Sequence, residues 1–351
     1  MTDPERSERW QDARRVIGDQ AAGDYLLDLE DHAARYDGEA PGLSDILRSA
    51  AARAHGDAFL RYDADAIEAQ QDYFRWMRRT NIGTLLTSVF GASAMAWQLV
   101  VSDAVLATSW LLPHVSTALA AAATAAAGLG AAGLYFLRNG KLLETWMTRR
   151  AQAETQRIAY FETVIDKAGK QSTWLHLLTL EYFLRYQFEV QKNYYATRSR
   201  EHRVSAGKTV TIGAAGAVIA TVSSASGVTL QGAANWPAAI AVIGAAIGAF
   251  AVGREQMTQD RRNSERYERI SATLTDLSRT LDDVRAQTER GNAAGVAEFA
   301  RAVNEQISNE HRQWLDQADA MRSALDRIEK ALAARGALEP STPQGGGGAA
   351  G

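Results

Sequence analysis

The chain of 351 residues contains no cysteine and only six prolines. Without cysteine it forms no disulfides, zinc–thiolate sites or iron–sulfur clusters, and it has no thiol nucleophile. Scarce proline and abundant alanine favour helices over an all-β fold. The averages, 46% hydrophobic and 23% charged residues with a net charge of −3, are those of a soluble protein. These averages hide three long runs without any charged residue.

Asp, Glu, Lys and Arg are absent from Thr80–Ser102, Ala104–Leu137 and Thr209–Gly253. As a helix, Ile82–Val101 would be about 30 Å long, which matches the hydrocarbon core of a bilayer. Pro113–Leu137 supplies a second span. A turn predicted at Ser223–Trp236 divides the third run into Thr209–Val222 and Pro237–Val252. We therefore predict an all-α integral membrane protein with four spans in two hairpins; the alternative is a soluble bundle of Ala-rich core helices.

Basic residues flank both predicted hairpins on the same side of the membrane. They are Arg75, Arg78, Arg79, Arg138, Lys141, Arg149 and Arg150 around the first, and Arg198, Arg200, Arg203, Lys208, Arg254, Arg261 and Arg262 around the second. The short turns Ser102–Pro113 and Ser223–Trp236 contain neither Lys nor Arg. By the positive-inside rule, both termini and the middle segment are cytoplasmic. This pattern predicts a multi-pass protein of the bacterial inner membrane.

The charge changes sign along the chain. Residues 1–70 carry a net charge of −8, whereas residues 138–208 carry +6. The first region is predicted to form short cytoplasmic helices or a helical lead-in to the first span. We expect six regions: 1–70 (acidic, helical), 71–137 (first hairpin with its lead-in helix), 138–208 (basic cytoplasmic helices, with a break near Ala168–Gly169), 209–253 (second hairpin), 254–336 (cytoplasmic helical hairpin or coiled coil) and 337–351 (disordered tail).

Two apolar seams follow the second hairpin. The first has heptad-like steps on one predicted long helix, at Ile270, Leu274, Leu277, Leu281 and Val284. The second contains Trp314, Ala318, Met321, Leu325, Ile328 and Leu332. Such spacing predicts either an antiparallel helical hairpin or an oligomeric coiled coil.

A weak internal repeat supports two hairpins. The pattern RR-x6-RI begins at Arg149 after the first hairpin and at Arg261 after the second, 112 residues later. Before the hairpins, Asp72-Tyr73-Phe74 is similar to Asn193-Tyr194-Tyr195. Each unit would comprise an aromatic and basic helix, a membrane hairpin and a long basic helix.

Residues typical of catalysis are not arranged in any known motif. Ala206-Gly207-Lys208-Thr209 is similar to the end of a phosphate-binding loop, but His202 occupies the position that requires the first glycine. The six histidines form no i,i+4 pair. We expect no enzyme activity, no cofactor and no metal site.

Small residues recur at the spacing of helix interfaces within the spans. They are Gly83, Thr87 and Gly91 in the first span, Gly213, Ala217 and Thr221 in the third, and Gly244 and Gly248 in the fourth. Such faces let helices approach closely or line a small, weakly polar pore. The Gly244–Gly248 pair fits packing within the chain and packing between chains equally well.

Two tyrosines precede three arginines in the basic segment before the third span: Tyr194, Tyr195, Arg198, Arg200 and Arg203. Aromatic rings that stack on bases, beside cations that hold phosphates, would suit a nucleotide or a single-stranded oligonucleotide. The alternative is a helix that contacts anionic lipid.

The order of aromatic-basic helix, short membrane hairpin and long basic helix resembles the SLATT family. The closest local match is Gln191–Arg198, and the resemblance covers residues 140–290 better than residues 70–160. It implies a membrane effector that accompanies bacterial nucleotide-producing or nucleotide-sensing defence enzymes. The four-span size resembles most the channel subunits of Hailong anti-phage systems, in which a nucleotidyltransferase makes DNA oligomers that keep the channel closed. By this resemblance, Arg198, Arg200 and Arg203 would contact phosphate and Tyr194 would stack.

These features together predict an oligomeric ion channel or pore. The spans carry no charge, and four spans are too few to enclose a pore within one chain, so we expect a homo-oligomer such as a tetramer. Its expected partners are the bilayer, a nucleotide or DNA oligomer as regulatory ligand, and a nucleotidyltransferase. The alternative is a non-conducting membrane scaffold that recruits cytosolic partners through coiled coils.

Overall fold

The computed structural model describes residues 9–100, 112–169, 171–229 and 236–309. Its helices are α1 (Arg9–Ile17), α2 (Leu29–Tyr36), α3 (Pro41–Leu47), α4 (Ala50–Val100), α5 (Leu112–Asn139), α6 (Leu142–Ala168), α7 (Thr173–Phe183), α8 (Glu189–Thr229), α9 (Trp236–Thr258), α10 (Asp260–Ser278), α11 (Leu281–Glu289) and α12 (residues 293–309). A one-turn π-helix, Leu184–Phe188, joins α7 to α8. The described residues contain no strand, and the predicted all-helical fold is confirmed for them.

Helices α4 and α8 are much longer than a bilayer is thick. They have 51 and 41 residues, which corresponds to lengths of about 75 and 60 Å. Threonines within α4 do not interrupt it, because Thr80, Thr84 and Thr87 each donate a hydroxyl hydrogen bond to the carbonyl four residues earlier. These bonds satisfy polar groups that would be costly in an apolar environment.

Three stretches of the described chain are long and apolar enough to cross a membrane. They are His114–Asn139, Thr173–Ala225 and Ile240–Ser278. These stretches contain α5, the second half of α8 and most of α9, so the structure supports three of the spans predicted from sequence. The other predicted span, Ile82–Val101, falls largely on the second half of α4, which is not among these three stretches. Helix α4 packs along α5 and also contacts α9.

The predicted turn Ser223–Trp236 is wrong over its first half. Helix α8 continues to Thr229, and residues 230–235 lie outside the described part. The hydroxyl of Ser224 donates to the carbonyl of Ala220, so this serine bonds back to its own helix and does not initiate a turn. No proline occurs between 223 and 229 to end the helix.

The first predicted seam does not lie on one long helix. The chain breaks at Arg279 and Thr280, whose backbone N–H groups bond to the carbonyls of Asp276 and Leu277. Leu274 is fully buried, and the other seam residues pack against the same core within the chain: Ile270, Leu277, Leu281 and Val284. No coiled coil is needed to cover this seam. The second seam, from Trp314 onward, lies outside the described residues.

Outside the membrane hairpins, the chain forms one helical domain. Its core joins α1–α3, the second half of α6, α7, the π-helix, α10 and residues 296–307. The predicted break near Ala168–Gly169 is confirmed, since α6 ends at Ala168 and α7 begins at Thr173. There the hydroxyl of Ser172 accepts a hydrogen bond from the N–H of Leu175 at 3.4 Å and caps α7. This core anchors the N-terminal ends of α4 and α8.

Candidate membrane hairpins and juxtamembrane ligand site

The first hairpin is built on close contact between two glycines. A Cβ atom at Gly83 would lie 2.5 Å from the backbone nitrogen of Gly130, a distance at which backbone must move. Near the end of the hairpin, Gly133 faces Thr80 in the same way. Of the other predicted packing residues on α4, Thr87 bonds to Gly83 and Gly91 faces open space. Gly83 therefore has a packing role that Gly91 lacks.

The second hairpin has a close glycine contact of the same kind. A Cβ atom at Gly244 would lie 2.6 Å from the nitrogen of Ala220, and one at Gly216 would lie 2.7 Å from the nitrogen of Gly248. Gly213 packs more loosely, facing the Cβ of Ala251. The structure thus places Gly244 and Gly248 in packing within the chain. Gly216 is not among the packing residues predicted from the sequence.

Two predicted packing residues on α8, Ala217 and Thr221, lie on the exposed side of the helix. Thr209 and Ser223, which lie on the α9 side together with Gly216, are buried. Ala217 and Thr221 are therefore not part of the α8–α9 contact.

Each hairpin ends in a residue with left-handed backbone conformation, and a helix that returns toward the helical domain follows it. The φ angles of Lys141, before α6, and Gln259, before α10, are 48° and 49°. These are the only non-glycine residues with positive φ in the described chain. After each kink the new helix folds back along the long helix of its own hairpin: α6 along α4, and α10 along α8.

The same aromatic contact holds each returning helix. The ring of Trp146 on α6 lies 5.5 Å from that of Tyr73 and 5.4 Å from that of Phe74. Their counterpart is Tyr267 on α10, whose ring lies 5.8 Å from that of Tyr195 and 6.5 Å from that of Tyr194. Each member of the second cluster stands 121 residues after its counterpart in the first.

The two aromatic clusters confirm the likeness between Tyr73-Phe74 and Tyr194-Tyr195. Their offset of 121 residues differs from the offset of 112 residues between the two RR-x6-RI patterns. Arg149 stands at the eighth position of α6, whereas Arg261 stands at the second position of α10. The two arginine pairs are therefore not structurally equivalent. A motif of four residues on amphipathic helices is too short to fix the register, whereas the packed aromatic rings define it.

The kink before α10 is fastened to α8 by a buried carboxylate. Asp260 accepts hydrogen bonds from the ring of His202 at 2.7 Å and from the hydroxyl of Ser205 at 2.5 Å. Burial alone would raise the pKa of Asp260, but these hydrogen bonds outweigh it and hold the pKa below its ordinary value of 3.8. Nearby, Ser199 and Ser264 each donate a hydroxyl bond to the other's carbonyl at 3.1 Å.

The predicted ligand residues are divided between the surface and the interior. Tyr194 is 36% exposed, and the guanidinium of Arg198 lies 5.5 Å from its ring centre. Tyr195 is only 2% exposed because it packs under Tyr267, so it presents no free face for stacking. Arg200 is exposed and bonds to the carbonyl of Ala196.

Two of the three arginines already have acidic partners. Arg198 forms an ion pair with Glu201, and Arg203 pairs with Glu268 on α10, both at 2.7 Å. These pairs are exposed, so each contributes little to stability and can exchange for another anion at small cost. The ligand role of this surface stays a prediction.

A polar network in the core of the helical domain was not predicted from the sequence. His32 bonds to the hydroxyl of Tyr182, which also bonds to Tyr160, and the hydroxyl of Tyr36 bonds to that of Tyr186 on the π-helix. Burial lowers the pKa of His32 to about 4, so this ring is neutral at physiological pH.

One buried ion pair and a second buried arginine tie the acidic N-terminal region to the π-helix. Arg185 donates to Asp24 at 2.8 Å. Arg157 on α6 donates to the side chain of Gln187 and to the carbonyls of Tyr186 and Tyr25. Such contacts join residues far apart in sequence, which is why neither periodicity nor spacing reveals them. Among the described residues, no group of three His, Asp or Glu side chains is placed to hold a metal ion.

A comparison with protein families places a match on the second hairpin. Residues 183–314 match the model described as SMODS and SLOG-associating 2TM effector domain 1, SLATT_1. This segment is similar to SLATT domains. No curated protein and no solved structure matches the chain.

The SLATT domain begins at Phe183, immediately before the π-helix, and includes α8, α9, α10, α11 and α12. It therefore contains one complete two-span hairpin, its kink at Gln259 and the Tyr267 cluster. The first hairpin lies outside the match but has the same order of helices, kink and aromatic contact. Together with the apolar helices, the SLATT domain indicates a membrane protein of the effector type found in defence systems.

Proposed function

We propose that the protein is an oligomeric ion channel or pore of the bacterial inner membrane and the effector of an anti-phage defence system. The observation that carries the proposal is the SLATT domain on a hairpin whose apolar helices are long enough to span a membrane. Opening would depolarise the membrane and arrest the infected cell. No catalytic step is assigned to the chain.

The proposal includes a fourth span, formed by the second half of α4. Its support is the absence of charge between Thr80 and Ser102 and the glycine contact of Gly83 with Gly130 on α5. A hairpin in which only α5 entered the membrane would separate these two backbones. With four spans, both termini and the segment between the hairpins lie in the cytoplasm, on the side of the basic flanks.

We further propose that a nucleotide or DNA oligomer, made by a partner nucleotidyltransferase, binds the start of α8. The exposed ring of Tyr194 with Arg198 beside it offers stacking and charge on one surface. Arg203 lies one to two turns further along the helix and is linked to α10 through Glu268. A phosphate that displaced Glu268 would loosen α10 from α8 close to the membrane.

Channel activity is tested by planar-bilayer recording of the purified full chain. We expect discrete conductance that changes when short DNA oligomers are added on the cytoplasmic side. Absence of conductance both with and without oligomers would contradict the channel and favour a non-conducting scaffold.

The ligand surface is tested with Arg198→Glu combined with Arg203→Glu. We expect at least tenfold weaker binding of a labelled DNA oligomer and an altered oligomer effect on conductance. Arg261→Glu with Arg262→Glu is the matched control, since it makes the same charge change on α10 without touching Tyr194. An equal loss of oligomer binding in both variants, or a loss in neither, would contradict a ligand site on α8 and favour a helix that contacts lipid.

A further inference from the structure

The four hairpin helices stand in an open row. Helix α5 packs on α4, α4 also packs on α9, and α9 packs on α8. In the described part of the chain, α5 and α8 form no interface of comparable size. The row therefore has two ends, α5 and α8, and is not closed into a four-helix bundle.

The central contact of the row, between α4 and α9, joins the two hairpin units through helices that are not counterparts of each other. By the repeat described above, α4 corresponds to α8 as the long helix of its unit, and α5 corresponds to α9 as the return helix. The α4–α9 contact therefore sets the long helix of the first unit against the return helix of the second. A contact between different faces of equivalent units is heterologous, and it can be repeated by the next unit.

Repetition would require the two ends of the row to be uncovered, and no other described part of the chain covers either of them. On α8, the side opposite Gly216 is exposed, with Val218 at 61% and Val210 at 71%. On α5, the side opposite Gly130 is also exposed and consists mainly of alanine. A Cβ atom at Gly128 on this side would meet no other atom within 4 Å.

The two end faces fit each other in shape and depth. The small residues of α5 allow a neighbouring helix to approach closely, and the branched side chains of α8 would pack on them. Gly128 precedes the end of α5 by about eleven residues, and Val218 follows the start of the uncharged run by about ten. At 1.5 Å per residue, both lie about 15 Å from the same side of the membrane.

We infer that α8 of one copy packs against α5 of a second copy of this chain, repeating the α4–α9 contact that already exists within the chain. Successive copies then continue the row, and a heterologous contact whose rotation closes gives a ring. This inference rests on the proposed membrane channel and specifies how its subunits join.

The chain contains no cysteine, so single cysteines test this interface directly by oxidative cross-linking in membranes. Two differently tagged chains are co-expressed, one with Gly128→Cys and the other with Val218→Cys. We expect a mixed cross-linked dimer in clear excess over dimers formed by either variant alone. A chain with both substitutions should give a ladder that ends at the size of the ring.

Gly91→Cys on α4 is the matched control, because it has a similar depth and also faces open space. Paired with Val218→Cys, it should cross-link at least tenfold less. Cross-links between identical positions would indicate a two-fold symmetric interface and overturn the inference, as would the absence of any cross-link. If conductance persists while these cross-links fail, the arrangement is wrong and the channel stands; cross-links without conductance would overturn the channel alone.

Discussion

The two hairpin units share one plan but differ in how the helix after each kink is held. In the second unit (the SLATT unit, α8–α10), α10 begins with Asp260, which bonds to His202, and Arg203 pairs with Glu268. In the first unit (α4–α6), α6 begins instead with Leu142, which packs against the apolar cluster of Tyr73, Leu137 and Trp146. Glycine contacts and aromatic clusters occur in both units, whereas the polar contact of Asp260 is a feature of the SLATT unit.

A second difference is the length of the returning helix. Helix α6 has 27 residues and α10 has 19. The second half of α6 enters the helical core with Tyr160, Phe161 and Val164, all nearly or fully buried. The first unit therefore contributes more of its returning helix to the domain core, whereas α10 contributes Tyr267 and Leu274 and is also fastened by polar contacts. We therefore expect substitutions in the two units to differ in the loss of stability that they cause.

The largest effect should come from Arg157→Ala in α6. The buried guanidinium bonds to Gln187, Tyr186 and Tyr25, and its loss leaves these acceptors unpaired. We expect a loss of about 3–5 kcal/mol in the free energy of unfolding, measured by denaturation in detergent. Arg149→Ala, whose side chain is 42% exposed, should cost less than about 1 kcal/mol. Similar losses of stability for the two substitutions would contradict the assignment of Arg157 to the core and of Arg149 to the surface.

Gly83→Leu and Gly216→Leu should destabilise the two hairpins to a similar degree. Each leucine would meet backbone of the partner helix at less than 3 Å from its Cβ, so the helices must separate. We expect about 1–3 kcal/mol for each, read from unfolding in increasing denaturing detergent. Gly91→Leu faces open space and should have little effect. If only one of the two glycine substitutions were damaging, the hairpins would not be equivalent.

Asp260→Asn should affect only the SLATT unit. The loss of the charged acceptor for His202 and Ser205 should cost about 1–2 kcal/mol. Because the folded pKa of Asp260 is lowered, its contribution is present above the unfolded pKa near 4 and is lost as the pH falls through the folded value. The wild type should therefore lose stability below about pH 4 more steeply than the variant. Parallel pH profiles of the midpoint of thermal unfolding would contradict this role.

The smallest effect on stability should come from Arg203→Ala. Both side chains of the Arg203–Glu268 pair are 60% exposed, so the pair should contribute less than about 0.5 kcal/mol. Thermal unfolding should be nearly unchanged while binding of a DNA oligomer falls. A large loss of stability would mean that this pair fastens the kink as Asp260 does.

The sequence was sufficient for the class of fold but not for its contacts. Missing charge and basic flanks predicted the hairpins, because each property is readable residue by residue. The turn at Ser223 was misplaced, since serine in a helix can bond to the carbonyl of Ala220 instead of ending the helix. The heptad seam was compatible with both a helical hairpin and a coiled coil, because periodicity shows that a face is apolar but not what covers it.

The candidate site was predicted in its residue types and only partly in its geometry. Tyr194 and Arg198 lie together as expected, whereas Tyr195 is covered by Tyr267. That contact joins two helices separated by a membrane hairpin, and no local pattern reports it. The polar core around His32 and Arg157 was invisible for the same reason.

The central claim, two tandem hairpins with four spans, is tested most directly by labelling single cysteines in whole cells with a membrane-impermeant maleimide. By sequence, Ala104→Cys and Gln231→Cys fall in the segments that connect the predicted spans of the two hairpins, whereas Asp45→Cys and Asp166→Cys lie in the helical domain. We predict labelling of the first two in intact cells and of the last two only after the inner membrane is permeabilised. Failure of Ala104→Cys to label in intact cells, together with labelling of Gln231→Cys, would contradict the first hairpin and leave a protein with a single membrane hairpin.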